Sequence, residues 1–237
     1  VIKIVLSASS MAWARRSLDE DTVMTEAEIG AVCDVARQRN RRVAAHARSA
    51  EAIQRCVRQG VDMIYHATLA DEETLDALEA AKDRVFVAPA IGLPVTRLEA
   101  GEDREAGPHA ASTARLRAEI EAVGTCMREL IKRGVRVVPG GDYGFECNPH
   151  GANARELGYF VDLFGCTPMQ AIVAATSLAG DVMGQPGKLG RIEEGQLADV
   201  LLVDGDPLAD IGILRDRDNL LAIMKGGVFH KRPAGRV

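Results

Sequence analysis

Val1-Ile-Lys-Ile-Val-Leu6, Val43-Ala-Ala-His46, Met63-Ile-Tyr-His66 and Val135-Arg-Val-Val-Pro-Gly-Gly-Asp142 are four short apolar runs, each carrying one ionisable residue of a metal-ligand type. Runs of this length read as strands. In a (β/α)8 barrel the reactive groups sit at the carboxyl ends of the strands, so runs that each deliver one such residue suit a site on that face. The order Lys, His, His, Asp reads as the second half of such a barrel.

Segments of helical period lie between the runs, and alternation of strand and helix predicts parallel βα units. The stretch 25–40 opens with Thr25 and Glu28 as a capping box and places Ile29, Val32, Val35 and Ala36 on one face. Ser49 caps a second helix, with Ile53, Cys56 and Val57 inward, until Gly60 stops it. A third helix is predicted over 71–82 with Leu75, Leu78 and Ala81 inward, then a strand over 84–88 and a long helix over 112–133 ending at Gly134. Two more helices follow at 153–163 and 168–178, the latter with Pro168 in its first turn. The Gly- and Pro-containing stretch 90–111 reads as a long loop over the barrel mouth, with His109 on a lid. This totals five strands rather than eight.

From Gln185 the texture changes to short apolar runs separated by Gly and Asp turns. The stretches 190–204 and 220–228 are β-like, and Gly226-Gly227 suits a hairpin turn. The expected division is a partial barrel over 1–184 and a small β element over 185–237, within the size that holds one core and an appendage.

Composition narrows the function classes. The chain of 237 residues is 47% hydrophobic and 27% charged, with a formal net charge of -5. Only 5 Phe, 3 Tyr and 1 Trp are present, and no basic patch interleaves with them, so no nucleic-acid partner is expected. The basic run 39–42 reads as a solvated helix end. No apolar run reaches the roughly 20 residues that span a bilayer, and the N-terminal run lacks the charged leader and cleavage site of a signal peptide. The five cysteines, at 33, 56, 126, 147 and 166, are scattered and odd in number. They read as reduced thiols in a cytoplasmic protein. Cys33, Cys56 and Cys126 fall in helices as small buried hydrophobes, and Cys147 alone is expected near the site.

Taken singly, each candidate has a second reading. Lys3 between Ile2 and Ile4 is either a ligand or an ammonium left exposed on a terminal strand. His46 or His66 alone also reads as a hydrogen-bonded core residue, and Asp142 as a turn residue. Arg48 suits bidentate capture of a substrate carboxylate or a place at the surface. His150 either reaches substrate or orders its loop, and Tyr143 flanks the ligands. Strand alternation turns Tyr65 away from His66, into packing. His230 stands apart from the chemistry.

Ile2-Lys3-Ile4, Val43-Ala-Ala-His-Ala-Arg48, Asp62-Met-Ile-Tyr-His66, Pro139-Gly-Gly-Asp-Tyr-Gly144 and Gly190-Arg-Ile-Glu-Glu-Gly-Gln-Leu-Ala-Asp-Val200 together resemble the C-terminal part of the metal-dependent amidohydrolases, in their prolidase-like, imidazolonepropionase-related branch. The last block resembles the strand returning to a β-sandwich beside the barrel. The resemblance implies an α/β fold made of barrel strands 4 to 8 plus the C-terminal segment of that sandwich.

It also implies roles. Lys3 would be the lysine that carbon dioxide converts to a carbamate bridging two divalent metals, because a protonated lysine has no lone pair to give a cation. His46 and His66 would supply imidazole nitrogens, which suit zinc. Asp142 would bind metal, take the proton of the attacking water and return it to the leaving amine. Metal coordination lowers the pKa of water toward about 7.

The implied reaction is hydrolysis of an amide-type C–N bond in a dipeptide, an Xaa-Pro or an N-acyl amino acid. Aryl amides, carbamates, ureas or cyclic amides are the alternative substrates, and a non-catalytic fragment or subunit of a split enzyme is the alternative class. The family's His-x-His pair on the first barrel strand has no counterpart among His46, His66, His109, His150 and His230. The expected partners are therefore an amide substrate and either further copies of this chain or a missing N-terminal half, which open sheet edges would favour.

Overall fold

A computed structural model describes residues 1–7, 21–101 and 113–233. Contacts divide the chain into two compact units, Val1–Pro149 and His150–Val237.

The first unit is built on a five-stranded parallel sheet in sequential order: β1 (Ile2–Val5), β2 (Val43–Ser49), β3 (Met63–Leu69), β4 (Phe86–Ala88) and β5 (Arg136–Val137). Its connections are helices α1 (Glu26–Gln38), α2 (Ala50–Gln59), α3 (Glu72–Ala80), α4 (Gly92–Glu99) and α5 (Thr113–Lys132). Sequential parallel strands joined through helices are the βα pattern expected from the sequence.

Local chemistry sets the helix ends. Thr25 and Glu28 form the predicted capping box on α1. The Ser49 side chain accepts from the Ala52 N–H at the start of α2, and Gly60 ends that helix at φ 80. Asp71 caps α3. The core between sheet and helices holds Ile29, Ile53, Ile64, Leu75, Leu78, Met127 and Leu130, all buried, together with Cys33, Cys56 and Cys126. Burial pushes the thiol of Cys126 up to about 11 and that of Cys56 higher still.

Three expectations for this unit need correction. Val35 is 44% exposed and Cys33 takes the inward place on α1. The loop expected over 90–111 contains α4, whose Thr96 hydroxyl donates to the carbonyls of Gly92 and Leu93. Pro94 lies in the first turn, where its missing N–H costs no helical bond. His109 lies outside the described residues. Finally, β5 pairs over only two residues, so Asp142 stands on the loop beyond it rather than at the strand's last position.

The second unit contains α6 (Arg155–Asp162), α7 (Pro168–Ala175) and α8 (Ser177–Val182), then a three-stranded antiparallel sheet in the order β6 (Val200–Val203), β7 (Leu220–Lys225), β8 (Val228–Lys231). Thr167 and Gln170 form a capping box with Pro168 in the first turn. The single helix expected over 168–178 breaks at Thr176, with φ -117 and ψ -87. Of the β-like stretch 190–204 only β6 is a strand. Gly226 and Gly227, at φ 55 and 79, make the predicted hairpin turn, whose two positive φ values favour glycine. No described helix is long and apolar enough to cross a membrane.

Candidate functional site

The parallel register decides which side chains meet. Val5 pairs with His46, His46 with Tyr65, and Tyr65 with Ala88. Because side chains alternate along a strand, Lys3, His46 and Tyr65 fall on one face of the sheet, and an undistorted β3 would carry His66 to the other. The backbone prevents this: His66 and Ala67 are both left-handed, at φ 76 and 50. The resulting distortion in the middle of β3 brings the His66 ring against that of His46, with centroids 4.3 Å apart and planes at 67°. Tyr65 therefore faces the site instead of packing away from it, and the Lys3 ammonium lies 4.7 Å above its ring centroid.

Such backbone costs on the order of 1–3 kcal/mol per residue and persists only where its surroundings fix it. Here Ala67 is fully buried and its carbonyl accepts from the Cys126 thiol at 3.0 Å. That thiol is a donor because burial keeps it protonated.

Asp142 reaches the cluster from the loop after β5. Its Oδ2 lies 3.9 Å from His66 Nε2, and it too is left-handed, at φ 51. The loop is held by Asn148, 1% exposed, whose side-chain amide donates to the carbonyls of Gly141 (2.7 Å) and Asp142 (3.1 Å). The Asn148 carbonyl in turn accepts from the Gly144 N–H at 3.0 Å. Gly140 passes so near β4 that a Cβ there would stand 3.1 Å from that of Ala88. Sequence reasoning missed both Tyr65 and Asn148. No local pattern marks Asn148, and only the register reveals Tyr65.

The electrostatics suit neutral donors. His66 is 2% exposed, and its pKa is held well below the usual 6.5, chiefly by burial and then by the charges of Arg48, His46 and Lys3. The neutral imidazole is the form that ligates a metal. Burial, followed by the Asp142 carboxylate, raises the Tyr65 phenol. The Thr68 hydroxyl, two residues beyond His66, is buried with no hydrogen-bond partner among the described residues.

The donor set fits a divalent metal in part. The 3.9 Å between His66 Nε2 and Asp142 Oδ2 is less than the sum of two metal bonds of roughly 2.0–2.2 Å, so one ion can reach both. Among the described residues, however, no group of three His, Cys, Asp or Glu side chains is gathered closely enough to hold an ion.

The other expected residues are placed as follows. Lys3 is exposed on β1. Arg48, also on β2, forms a half-buried ion pair with Glu119 of α5. Tyr143 follows Asp142 and is half-buried, as is Cys147. His150 opens the second unit and is exposed.

An ochratoxinase of Aspergillus niger is 29% identical over 234 residues, which cover 98% of this chain and 46% of that protein. Its crystal structure aligns with a TM-score of 0.84 at 26% identity, covering 98% of this chain and 51% of the other. A Xaa-Pro dipeptidase crystallised with methionine in its active site aligns with a TM-score of 0.83 at 27% identity, over 97% and 54% of the two chains. An imidazolonepropionase of Rubrobacter xylanophilus is 32% identical over 104 residues, 42% of this chain and 24% of that protein. The chain thus spans about half the length, or less, of the curated relatives it matches. The model of the Amidohydrolase family matches residues 8–229. The chain belongs to the amidohydrolase family.

Proposed function

We propose that this chain supplies one half of the active site of an amidase that cleaves the C–N bond of a dipeptide, an Xaa-Pro or an N-acyl amino acid. The observation that carries the reading is His66 of β3 set against the His46 ring of the parallel strand β2 and 3.9 Å from Asp142 on the loop after β5, with left-handed backbone at His66 and Asp142. The likeness to a Xaa-Pro dipeptidase supports the dipeptide class. Aryl amides, carbamates, ureas and cyclic amides are the alternative substrates, and a non-catalytic subunit is the alternative class.

In this reading His46, His66 and Asp142 are the chain's ligands for one or two divalent ions, zinc foremost, with Lys3 joining them as its carbamate. When bound, the metal polarises the scissile carbonyl and acidifies water. Asp142 takes the proton of the attacking water and passes it to the departing amine, a shuttle that its place beside neutral His66 permits. Arg48 receives the substrate carboxylate, and Tyr143 and His150 contact the remainder. Residues 1–184 belong to a (β/α)8 barrel and 185–237 to a β-sandwich, in a cytoplasmic assembly completed by an N-terminal half or by further copies of this chain.

Elemental analysis and intact mass of the purified chain test this reading. The expected result is substoichiometric metal, no adduct of about 44 Da on Lys3 and no amide hydrolysis. Stoichiometric metal, the adduct and amide hydrolysis should all appear once the chain is fused to the His-x-His-bearing half of a related amidohydrolase. Two metals and full activity in the chain alone would overturn the half-site, and a fusion that binds metal yet cleaves no amide would overturn the hydrolase.

A further inference from the structure

Arg48 follows His46 by two residues on β2, and its main chain is pinned where the register of that strand shifts. The backbone N–H groups of Arg48 and Ser49 both donate to the hydroxyl of fully buried Ser7, at 2.7 and 3.2 Å. The guanidinium, on a long flexible stem, is not locked in the same way. Among the described residues its one ion pair is Nη1 to Glu119 Oε1 at 2.5 Å, with the two side chains 16% and 21% exposed. Arg133 shows what a structural arginine looks like in this chain. Its Nε, Nη1 and Nη2 all donate, to Glu129, Asp76 and Glu72, tying α5 to α3.

A guanidinium carries five N–H donors in a planar fork that matches a carboxylate at two points. Glu119 uses one. It is therefore a one-point partner at a group that prefers two, beside a site whose His66 already feels the Arg48 charge.

We infer that Glu119 determines specificity by standing in for the substrate carboxylate on Arg48, so that an acidic substrate binds by displacing it and a neutral one leaves the pair intact. The inference rests on the reading of Arg48 given above and adds the residue that competes for it. An incoming carboxylate exchanges one half-buried ion pair for a bidentate one, so its net gain is small while Glu119 is charged and larger once Glu119 is neutral.

Calorimetric titration of the purified chain with N-acetyl-L-methionine and with its uncharged amide, N-acetyl-L-methioninamide, tests this. Glu119→Gln should bind the carboxylate about tenfold tighter than the native chain, with the amide unchanged. Glu119→Asp, which keeps the charge on a shorter stem, should fall between. Arg48→Met should remove any preference for the carboxylate, in the native background and together with Glu119→Gln. Equal or weaker carboxylate binding by Glu119→Gln, while Arg48→Met still abolishes the preference, would overturn the role of Glu119 alone. An Arg48→Met chain that keeps the preference, or no binding of either probe by any variant, would overturn the Arg48 reading with it. Thermal unfolding of each variant separates these outcomes from loss of fold.

Discussion

Replacing Asn148 by alanine should loosen the loop that presents Asp142, and the size of the effect follows from the hydrogen bonds lost. The side-chain amide gives its two N–H groups to the carbonyls of Gly141 and Asp142 at 2.7 and 3.1 Å, in a residue only 1% exposed. At about 0.5–1.5 kcal/mol net per bond, the variant should lose about 1–3 kcal/mol, toward the upper end if the abandoned carbonyls stay dry. Asn148→Asp sharpens the test. It keeps the shape but offers an ionised acceptor to two carbonyl oxygens, so it should be at least as damaging as alanine. Urea unfolding with an unchanged m-value reads the stability, and faster hydrogen exchange at the Gly144 N–H, which donates to the Asn148 carbonyl, reads the loop locally. An alanine variant within about 0.5 kcal/mol of the native chain, or an aspartate variant milder than alanine, would refute the clamp.

Three further outcomes are expected. Because native His66 has a depressed pKa, the unfolded chain takes up its proton first, so stability should fall as pH drops below 6.5, and His66→Asn should flatten that slope in unfolding measured at stepped pH. Gly190 and Gly195 share φ +84, but a Cβ on Gly190 would lie 2.2 Å from the Thr176 carbonyl oxygen while one on Gly195 meets nothing within 4 Å. Gly195→Ala should then cost about 1 kcal/mol and Gly190→Ala more than about 3, and equal losses by urea unfolding would show that the contact is not limiting. Of the five thiols only Cys147 is not buried, so alkylation mapped by mass at pH 8 should label it first and reach Cys56 and Cys126 only after denaturation.

Much of the fold is local chemistry and is readable as such. Thr25 with Glu28, Ser49, Gly60, Asp71, Thr167 with Pro168, and Gly226-Gly227 each act on backbone within a few residues, so they mark helix ends and a turn without reference to the rest of the chain. His46, His66 and Asp142 stand out by residue type at the ends of their apolar runs, and Lys3 by its place inside one. The helix over Gly92–Glu99 was masked by its own Gly and Pro, which read as loop residues when their place in a first turn is unknown.

The sequence by itself determined the βα alternation, the helix caps and the residue types at the strand ends, because periodicity and capping depend on neighbours along the chain. Tertiary structure alone decided how those residues are aimed. Left-handed backbone at His66 and Ala67 puts Tyr65 and His66 at one site against the period-2 rule. Asn148 holds the Asp142 loop through carbonyls that no pattern announces. Glu119 meets Arg48 across 71 positions of sequence. Each is set by which groups a packed interior leaves to satisfy one another, and that is a property of contacts distant in sequence.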